Sequence, residues 1–600
     1  MSRPVVLATL ALALGIVAAD FLFYENLIIP AWLDIATWGC SLLAAVGAWL
    51  CWRSDGRSWS NRVLFPLLTF LFFAVVGFAR YAAYAENVQA SWQQMERPPV
   101  NRGNPDEFDY VRWRWIQGVE DSTAWTARLK RRALGVREIL LKKYEAAGMD
   151  DEAQAIVAAV TLGDRSQLRH ETRDLYAAAG ASHLLALSGL HLSIIVGFFL
   201  TLLNGRLLLS RWRPWLGVAV LVFIWMYAFV AGLPTSLVRA SLMTSLFLVG
   251  ALMQRYGQPL HWLVLTALVM LLIRPVYLFD VGAQLSFAAV AGILVLHRRW
   301  YMWFFERYRF FCFKLERYHV MWPLTAFSVS LAAQVFTLPL VAYYFHRIPL
   351  YAPIFNLVFI PLTTALIYGA LMLLVFSSLS LVSLSSLLGR ALSWIVAAQM
   401  SVMQFEVSLP GAVINDFWSR KAEPQVVIYN NWRCPALHVI AAPDRSWLLM
   451  PEPDSLQTGM RYISESFWRR RLTAEPAVLT NRTAVALEGG FTAVMINDRS
   501  MHATPSNDEG DEKTVANIDV LWITKGFKGN HLNGLEQRYK PRLLVLDACL
   551  SPWQRSALKQ DAARLGWSVY DVAEQGALQL NSTKPLTHLS KSLKTIRQNP

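Results

Sequence analysis

Charge is scarce in this chain. Of its 600 residues only 16% are Asp, Glu, Lys or Arg, against 55% apolar residues and a mean hydropathy of +0.33, a balance that excludes an ordinary soluble enzyme. Cysteine is scarcer still. The five, Cys40, Cys51, Cys312, Cys434 and Cys549, form no CxxC pair, which removes zinc-ribbon, thioredoxin-type and disulfide-scaffold readings. No GxxxxGK[ST] occurs, so the chain carries no ATP site of its own and no cofactor is expected. The 32 glycines and 27 prolines follow no period, which with 12% aromatics excludes collagen and disorder. Lys and Arg number 56 against 42 acids, a formal charge of +14. In so apolar a chain that excess reads first as cytoplasmic loops rather than as a nucleic-acid surface.

Long apolar runs take the place of charge. About eleven segments are long enough to cross a hydrocarbon core, so the fold class is a polytopic α-helical membrane protein. They fall into two blocks: Val5 to Leu22, Ile35 to Trp52 and Val63 to Ala85, then a second block from Leu184 to Val407. Basic loops at Arg53, Arg57 and Arg62, at Arg206, Arg211 and Arg213, and from Arg298 to Arg317 separate spans that alternate in direction. Placing these loops inside puts the amino terminus inside, and puts residues 86–182 and the tail after Pro410 outside. Arg3 ahead of an apolar run that meets Val17-Ala18-Ala19 also fits a cleaved signal peptide; continuation of the run through Phe23 fits an uncleaved anchor better.

Polar groups inside these runs are costly unless they face protein or water. Gly163-Asp164-Arg165-Ser166 is followed by Gly180-Ala181-Ser182-His183-Leu184-Leu185-Ala186-Leu187-Ser188-Gly189-Leu190-His191-Leu192-Ser193, which opens a membrane helix. At 100° per residue Ser188 and His191 share a face, and His183 lies about 80° away. Gly189 allows a kink or a broken helix. Arg239 sits within a span after Pro234-Thr235-Ser236, and Asp280-Val281-Gly282-Ala283-Gln284-Leu285-Ser286-Phe287 opens another. Asp280 suits an N-cap, whereas Gln284 and Ser286 need partners deeper in. Pro353, Asn356 and Pro361 punctuate a late span. Two histidines without a third ligand at metal spacing make no zinc site, so no metal is expected.

Basic residues mix with aromatics from Arg298 to His319, where Arg298, Arg299, Arg307, Arg309 and Lys314 accompany Trp300, Trp303 and Phe304. This fits an interfacial helix, and it also fits a lip that contacts the phosphates of a strand. Arg128, Lys130, Arg131, Arg132, Arg137, Lys142 and Lys143 form a second cluster in a helical pattern, readable as phosphate-collecting or as a solvated face.

Together, the Gly163, Gly180–His191, Arg239-Ala240-Ser241, Asp280–Phe287 and Pro353/Asn356/Pro361 segments resemble the ComEC/Rec2 family of competence proteins in order and spacing, over roughly Gly163 to Leu409. The resemblance implies an inner-membrane channel that passes single-stranded DNA into the cytoplasm during natural transformation, with a DNA path along His183, Ser188, Gly189, His191, Arg239, Asp280, Gln284 and Ser286. It implies work with single-stranded DNA and membrane lipids, a periplasmic DNA receptor, a cytoplasmic helicase-like ATPase and strand-binding proteins; a homodimer is a further expected assembly. Asn104-Pro105-Asp106-Glu107-Phe108-Asp109-Tyr110 resembles the segment that follows the family's soluble OB-like domain, yet only about twenty residues separate Ala85 from Asn104, too few for five strands. The OB domain is therefore expected to be absent.

The tail resembles the end of a metallo-beta-lactamase-like domain through Asp519-Val520-Leu521-Trp522-Ile523, Pro541 to Asp547 and Gly566 to Tyr570. The place where the family carries metal ligands reads Thr524-Lys525-Gly526-Phe527-Lys528-Gly529-Asn530, and the tail's histidines, His438, His502, His531 and His588, are scattered. A degenerate α/β domain without nuclease activity is expected. The expected divisions are residues 1–85 (first membrane helices), 86–182 (extracytoplasmic), 183–409 (channel) and 410–600 (α/β domain). Two other functions fit the polar pattern: transport of another polyanion, and an intramembrane hydrolase built on Ser188 and His191. Purified chain incubated with single-stranded DNA and manganese is expected to leave it intact; digestion abolished by a substitution in the tail would reverse the reading of that domain.

Overall fold

The computed structural model describes residues 3–24, 44–46, 59–95, 101–104, 109–117, 125–202, 213–252, 258–307, 322–415, 424–450 and, in pieces, 460–581. The chain divides into two units: Met1–Glu96 with Trp115–Ile414, and Arg97–Arg114 with Asn415–Pro600.

The first unit is helical. Among the described residues five helices are long and apolar enough to cross a membrane: Phe65–Gln93, Val281–Arg307, Trp322–Phe345, Ala352–Ser378 and Val382–Ser408. Five shorter apolar helices accompany them: Val5–Phe21, Gly189–Phe199, Gly217–Val230, Thr235–Gly250 and Pro259–Ile273. The span expected at Ile35 to Trp52 lies outside the described residues apart from Ala44 to Val46. The first block is not a separate bundle. Arg3–Tyr24 crosses Trp59–Gln93 where Gly15 meets the Ala74 backbone and Gly77 the Leu12 backbone, so close that a Cβ on Gly77 would lie 2.3 Å from the Leu12 carbonyl oxygen. Small residues at a crossing let two apolar helices gain dispersion contact where lipid offers no hydrophobic drive. Arg80 of the second of these helices donates to the Leu272 and Ile273 carbonyls at 3.0 and 2.9 Å, capping the end of Pro259–Ile273.

The largest core cluster surrounds a helix that composition alone did not mark as membranous. Asp151–Leu162 buries Ala153 and every residue from Ala155 to Leu162, against Phe359, Leu366, Leu373, Leu392 and Met403 of the last two long helices. Residues 298–307, expected as an interfacial helix, continue directly from Val281–Gly292 through one π turn at Ile293–His297. Arg298, Arg299 and Arg307 are exposed at its end, while Arg309 and Lys314 lie outside the described residues.

The second unit holds two five-stranded sheets. One runs in the order Leu578–Asn581, Gln425–Ile428, Leu437–Ala442, Arg445–Leu449, Ala477–Leu479; the other runs Val569–Asp571, Tyr539–Leu546, Ala516–Ile523, Thr492–Ile496, Ala484–Ala486 and is parallel except for its last pair. Alternation along the strands builds four layers. Val426, Ile428, Val520 and Trp522 face the core between the sheets. Val427 and Tyr429 face an outer layer with Phe467 and Trp468, and Leu521 and Ile523 face the helix Pro552–Leu565. Burial on both faces is why these strands read as continuous apolar runs rather than alternating ones. That helix starts with a Ser551–Gln554 capping box and stops at left-handed Gly566.

A remote segment completes the domain. Asn104, buried, accepts from the Asn430 backbone N–H at 2.7 Å and donates to its carbonyl at 3.2 Å, and Asn430 Nδ2 donates to the Arg102 carbonyl at 2.8 Å. One side-chain amide thus imitates a strand partner, although the residues are 326 positions apart.

His438 is wholly buried with its Nδ1 2.9 Å from the Tyr429 hydroxyl, and burial pushes its pKa from 6.5 down to about 3. The folded domain keeps the ring neutral while the unfolded chain protonates it. The stability this contributes is present above pH 6.5 and is lost as pH falls toward about 3. Asp547, pushed up to about 6 by burial, acts in the opposite sense, so a variant comparison isolates the histidine. Between pH 7 and 5 we expect the protection of strands Gln425–Ile428 and Leu437–Ala442 against hydrogen exchange, corrected for the intrinsic exchange rate at each pH, to fall less in His438→Leu than in the parent, measured on the full chain in detergent.

Candidate functional site

The site forms where a helix is interrupted. Ser182–Leu185 is a single helical turn, Ala186 is extended (φ −94°, ψ 126°), and the helix resumes as Gly189–Leu202. An unwound stretch among apolar helices frees carbonyls that neighbours must satisfy. Arg165 Nε donates to the Leu185 carbonyl at 3.0 Å and Ser236 Oγ to the Leu187 carbonyl at 2.5 Å. Gly163 makes room for this. It ends Asp151–Leu162 at φ +75°, and a Cβ there would lie 2.8 Å from Leu187 Cδ1 and 3.2 Å from the Ala231 carbonyl oxygen. Asp164 accepts from the Ser166 N–H at 3.1 Å, closing the turn that aims Arg165 at the break.

Just past the break, Ser188 Oγ lies 2.7 Å from His191 Nδ1, on the shared face expected from their spacing. His191 is fully buried, and its Nε2 has no hydrogen bond of normal geometry, with the Leu184 backbone beside it. His183 is exposed, with Nδ1 3.1 Å from the Gly180 carbonyl oxygen; it hydrogen-bonds to none of the other site residues but lies close enough to His191 to interact with it electrostatically.

Arg239 is 5% exposed. Its Nε donates to Ser286 Oγ at 2.7 Å, its guanidinium lies 5.8 Å from the Phe287 ring centre, and Nη2 points at Gly189, 3.5 Å from where a Cβ would stand. Among the described residues no carboxylate pairs with it. Asp280 caps the next helix, accepting from the Ala283 N–H at 2.7 Å and from Thr235 Oγ1 at 3.0 Å, so it joins two helices rather than neutralising Arg239. Gln284 Nε2 donates to the Leu278 carbonyl at 2.8 Å and its Oε1 accepts from the Tyr344 hydroxyl at 2.9 Å. Asn356 donates to Ser330 Oγ at 2.7 Å, and its own oxygen is buried without a partner.

The structure therefore joins Ser188 with His191, Arg239 with Ser286 and Gly189, and Asp280 with Thr235. Arg165, Thr235, Ser236 and Tyr344 are participants that the path expected from sequence did not include. Arg165 and Thr235-Ser236 stood in marked segments, but only the fold shows which carbonyls and carboxylate they reach. In the tail, the ends of two neighbouring parallel strands hold Asp547, which accepts from Trp522 Nε1 at 2.8 Å and the Cys549 N–H at 2.9 Å. His531 pairs instead with Asp561 at 3.0 Å.

These features define a class: a helical protein with helices apolar enough to cross a membrane, a polar, cationic cluster buried among them, and a two-sheet α/β domain. The family model described as "Competence protein" matches residues 160–430, and that for the "ComEC C-terminal domain" matches 426–582. The chain is 29% identical over 301 residues to ComE operon protein 3 of Bacillus subtilis, covering 48% of this chain and 35% of that protein. It is 23% identical over 305 residues to Recombination protein 2 of Haemophilus influenzae (49% of this chain, 36% of that protein), and 27% identical over 242 residues to competence protein ComA of Neisseria gonorrhoeae (40% and 31%). The matches span about a third of each relative's length. No solved structure matches. The chain belongs to the ComEC/Rec2 family of competence proteins.

The Gly163 turn is testable by comparison with Gly148, which also has positive φ (+66°) but nothing within 4 Å of a Cβ. Left-handed strain costs each alanine variant roughly 1 kcal/mol. Gly163→Ala, which also meets Leu187, is expected to lower the thermal midpoint of purified protein more than Gly148→Ala.

Proposed function

We propose that the helical unit is an inner-membrane conduit for single-stranded DNA during natural transformation. The observation that carries this is Arg239, a buried cation among apolar helices that has a hydroxyl, an aromatic ring and a backbone gap for neighbours but no described carboxylate. Such a charge is stable only if water or an anion reaches it. A strand carries one charge per nucleotide, and a path for it needs hydroxyls, amides and isolated cations rather than tight ion pairs that would trap it. Ser188, His191, Gln284 and Ser286 supply the neutral partners. Family membership supports DNA over another polyanion as cargo. The hydrolase alternative loses support because His191 uses Nδ1 for Ser188 and no described acid bonds Nε2, so no carboxylate is there to stabilise the ring as it takes a proton.

The tail we read as a degenerate metallo-beta-lactamase-like domain that cuts nothing. Its four layers fit that fold, and the Trp522–Asp547 and His531–Asp561 bonds engage side chains that a metal site would require free. The Asn104–Asn430 bonds support a reading in which residues 101–104 and the tail share one side of the membrane, and charge alternation favours the outer one. Pulling force then comes from partners, a helicase-like ATPase and strand-binding proteins inside, with a DNA receptor outside; homodimer formation belongs to the same reading.

Cells producing His191→Leu or Arg239→Leu are expected to take DNA across the outer envelope yet yield no transformants, with each variant present in the membrane fraction. Normal transformation by both variants would sink the conduit reading.

A further inference from the structure

Three backbone donors at the helix break have no partner. Leu192 N–H bonds the Ser188 carbonyl, but among the described residues the N–H groups of Gly189, Leu190 and His191 meet no acceptor. Ser188 Oγ, which in an ordinary N-cap would accept from one of them, is engaged by the His191 ring instead. At the same turn stands Arg239, 5% exposed, its Nε donating to Ser286 and its Nη1 to Met243 Sδ at 4.0 Å, with Nη2 left at the edge of Gly189.

We propose that the first turn of Gly189–Leu202 and the Arg239 guanidinium together form a seat for one phosphodiester group of the moving strand. The chemistry is that of an anion at a helix amino terminus: aligned N–H groups and the helix dipole favour negative charge, and a guanidinium matches two phosphate oxygens. Glycine at position 189 keeps this geometry open. A side chain there would stand 3.3 Å from Ala240 Cβ and 3.5 Å from Nη2, occupying the approach an oxygen needs. Leu190, the next residue of this turn, is 41% exposed. A single seat of this kind holds one phosphate at a time, which suits stepwise passage better than a deep cationic trap would. The identity of the strand rests on the conduit reading above; the seat itself does not.

The test reads occupancy rather than transport. Full-length chain carrying Leu190→Cys is reconstituted in phosphatidylcholine nanodiscs, and maleimide reaction at that position is followed by mass spectrometry. Dimethyl phosphate, the minimal phosphodiester, is expected to slow labelling severalfold and uncharged trimethyl phosphate to have no effect. Adding Arg239→Gln is expected to abolish protection, Arg239→Lys to retain part of it, and Gly189→Ala, which keeps the helix, to weaken it. Labelling unaffected by dimethyl phosphate, or protection persisting in Arg239→Gln, overturns the seat. Oligothymidylate protecting at far lower concentration assigns it to a strand. Protection by phosphatidylglycerol nanodiscs alone, uncontested by oligothymidylate, assigns it to a lipid headgroup and overturns the proposal as stated. Occupancy in a chain that moves no DNA in cells would break the conduit reading and leave the seat standing, and normal transformation without occupancy would do the reverse.

Discussion

A guanidinium held among apolar helices without a described counter-ion is the constraint on which the rest of the helical unit turns. Arg239 cannot face lipid, and its neighbourhood is arranged accordingly: Ser286 takes one donor, Phe287 lies beside the cation, and the helix opposite is cut open so that a glycine and free backbone N–H groups come near. Opening that helix exposes carbonyls in turn. Arg165 and Ser236 satisfy them, which ties the Gly163 turn and the Thr235 helix to the same spot. The cluster is thus a chain of obligations, each polar group present because another would otherwise be orphaned.

The second unit shows a different economy of polar groups. Its two sheets are largely buried on both faces, so few positions are left for charges, and the buried acids at the strand ends are tied down. Asp547 takes hydrogen bonds from an indole and a backbone amide, and Asp571 receives Arg555 at 3.2 Å and Lys559 at 2.7 Å. Residues 101–104, far away in the chain, close the domain through the paired amides of Asn104 and Asn430. The polypeptide therefore enters this domain, leaves it to build the remaining membrane helices, and returns.

Much of this was legible beforehand, and the failures have physical causes. The apolar runs are nearly all helices, because 3.6-residue periodicity and length are local properties. Ser188 and His191 meet as their spacing requires, since three residues make almost one turn. Asp280 read first as an N-cap, and it caps its helix; its second partner, Thr235, comes from another helix. The aromatic, basic stretch from Arg298 reads as an interfacial helix or as a phosphate-contacting lip; its described part, residues 298–307, continues a long helix through a π turn, a continuity that composition did not show. Asp151–Leu162 is too short and too rich in alanine to announce itself, yet it is the best buried helix of the unit.

Composition, periodicity and motif order by themselves determined that this is a helical membrane-type chain with an α/β tail, and which family it belongs to, since those follow from residue type and spacing along the chain. Which polar groups satisfy one another was decided only by tertiary structure. Arg239 and Ser286 lie 47 positions apart, Arg165 and Leu185 are 20 apart, and Asn104 and Asn430 are 326 apart. A hydrogen bond selects its partner by distance and angle in space, and nothing in the local sequence encodes which of several serines or asparagines will arrive there.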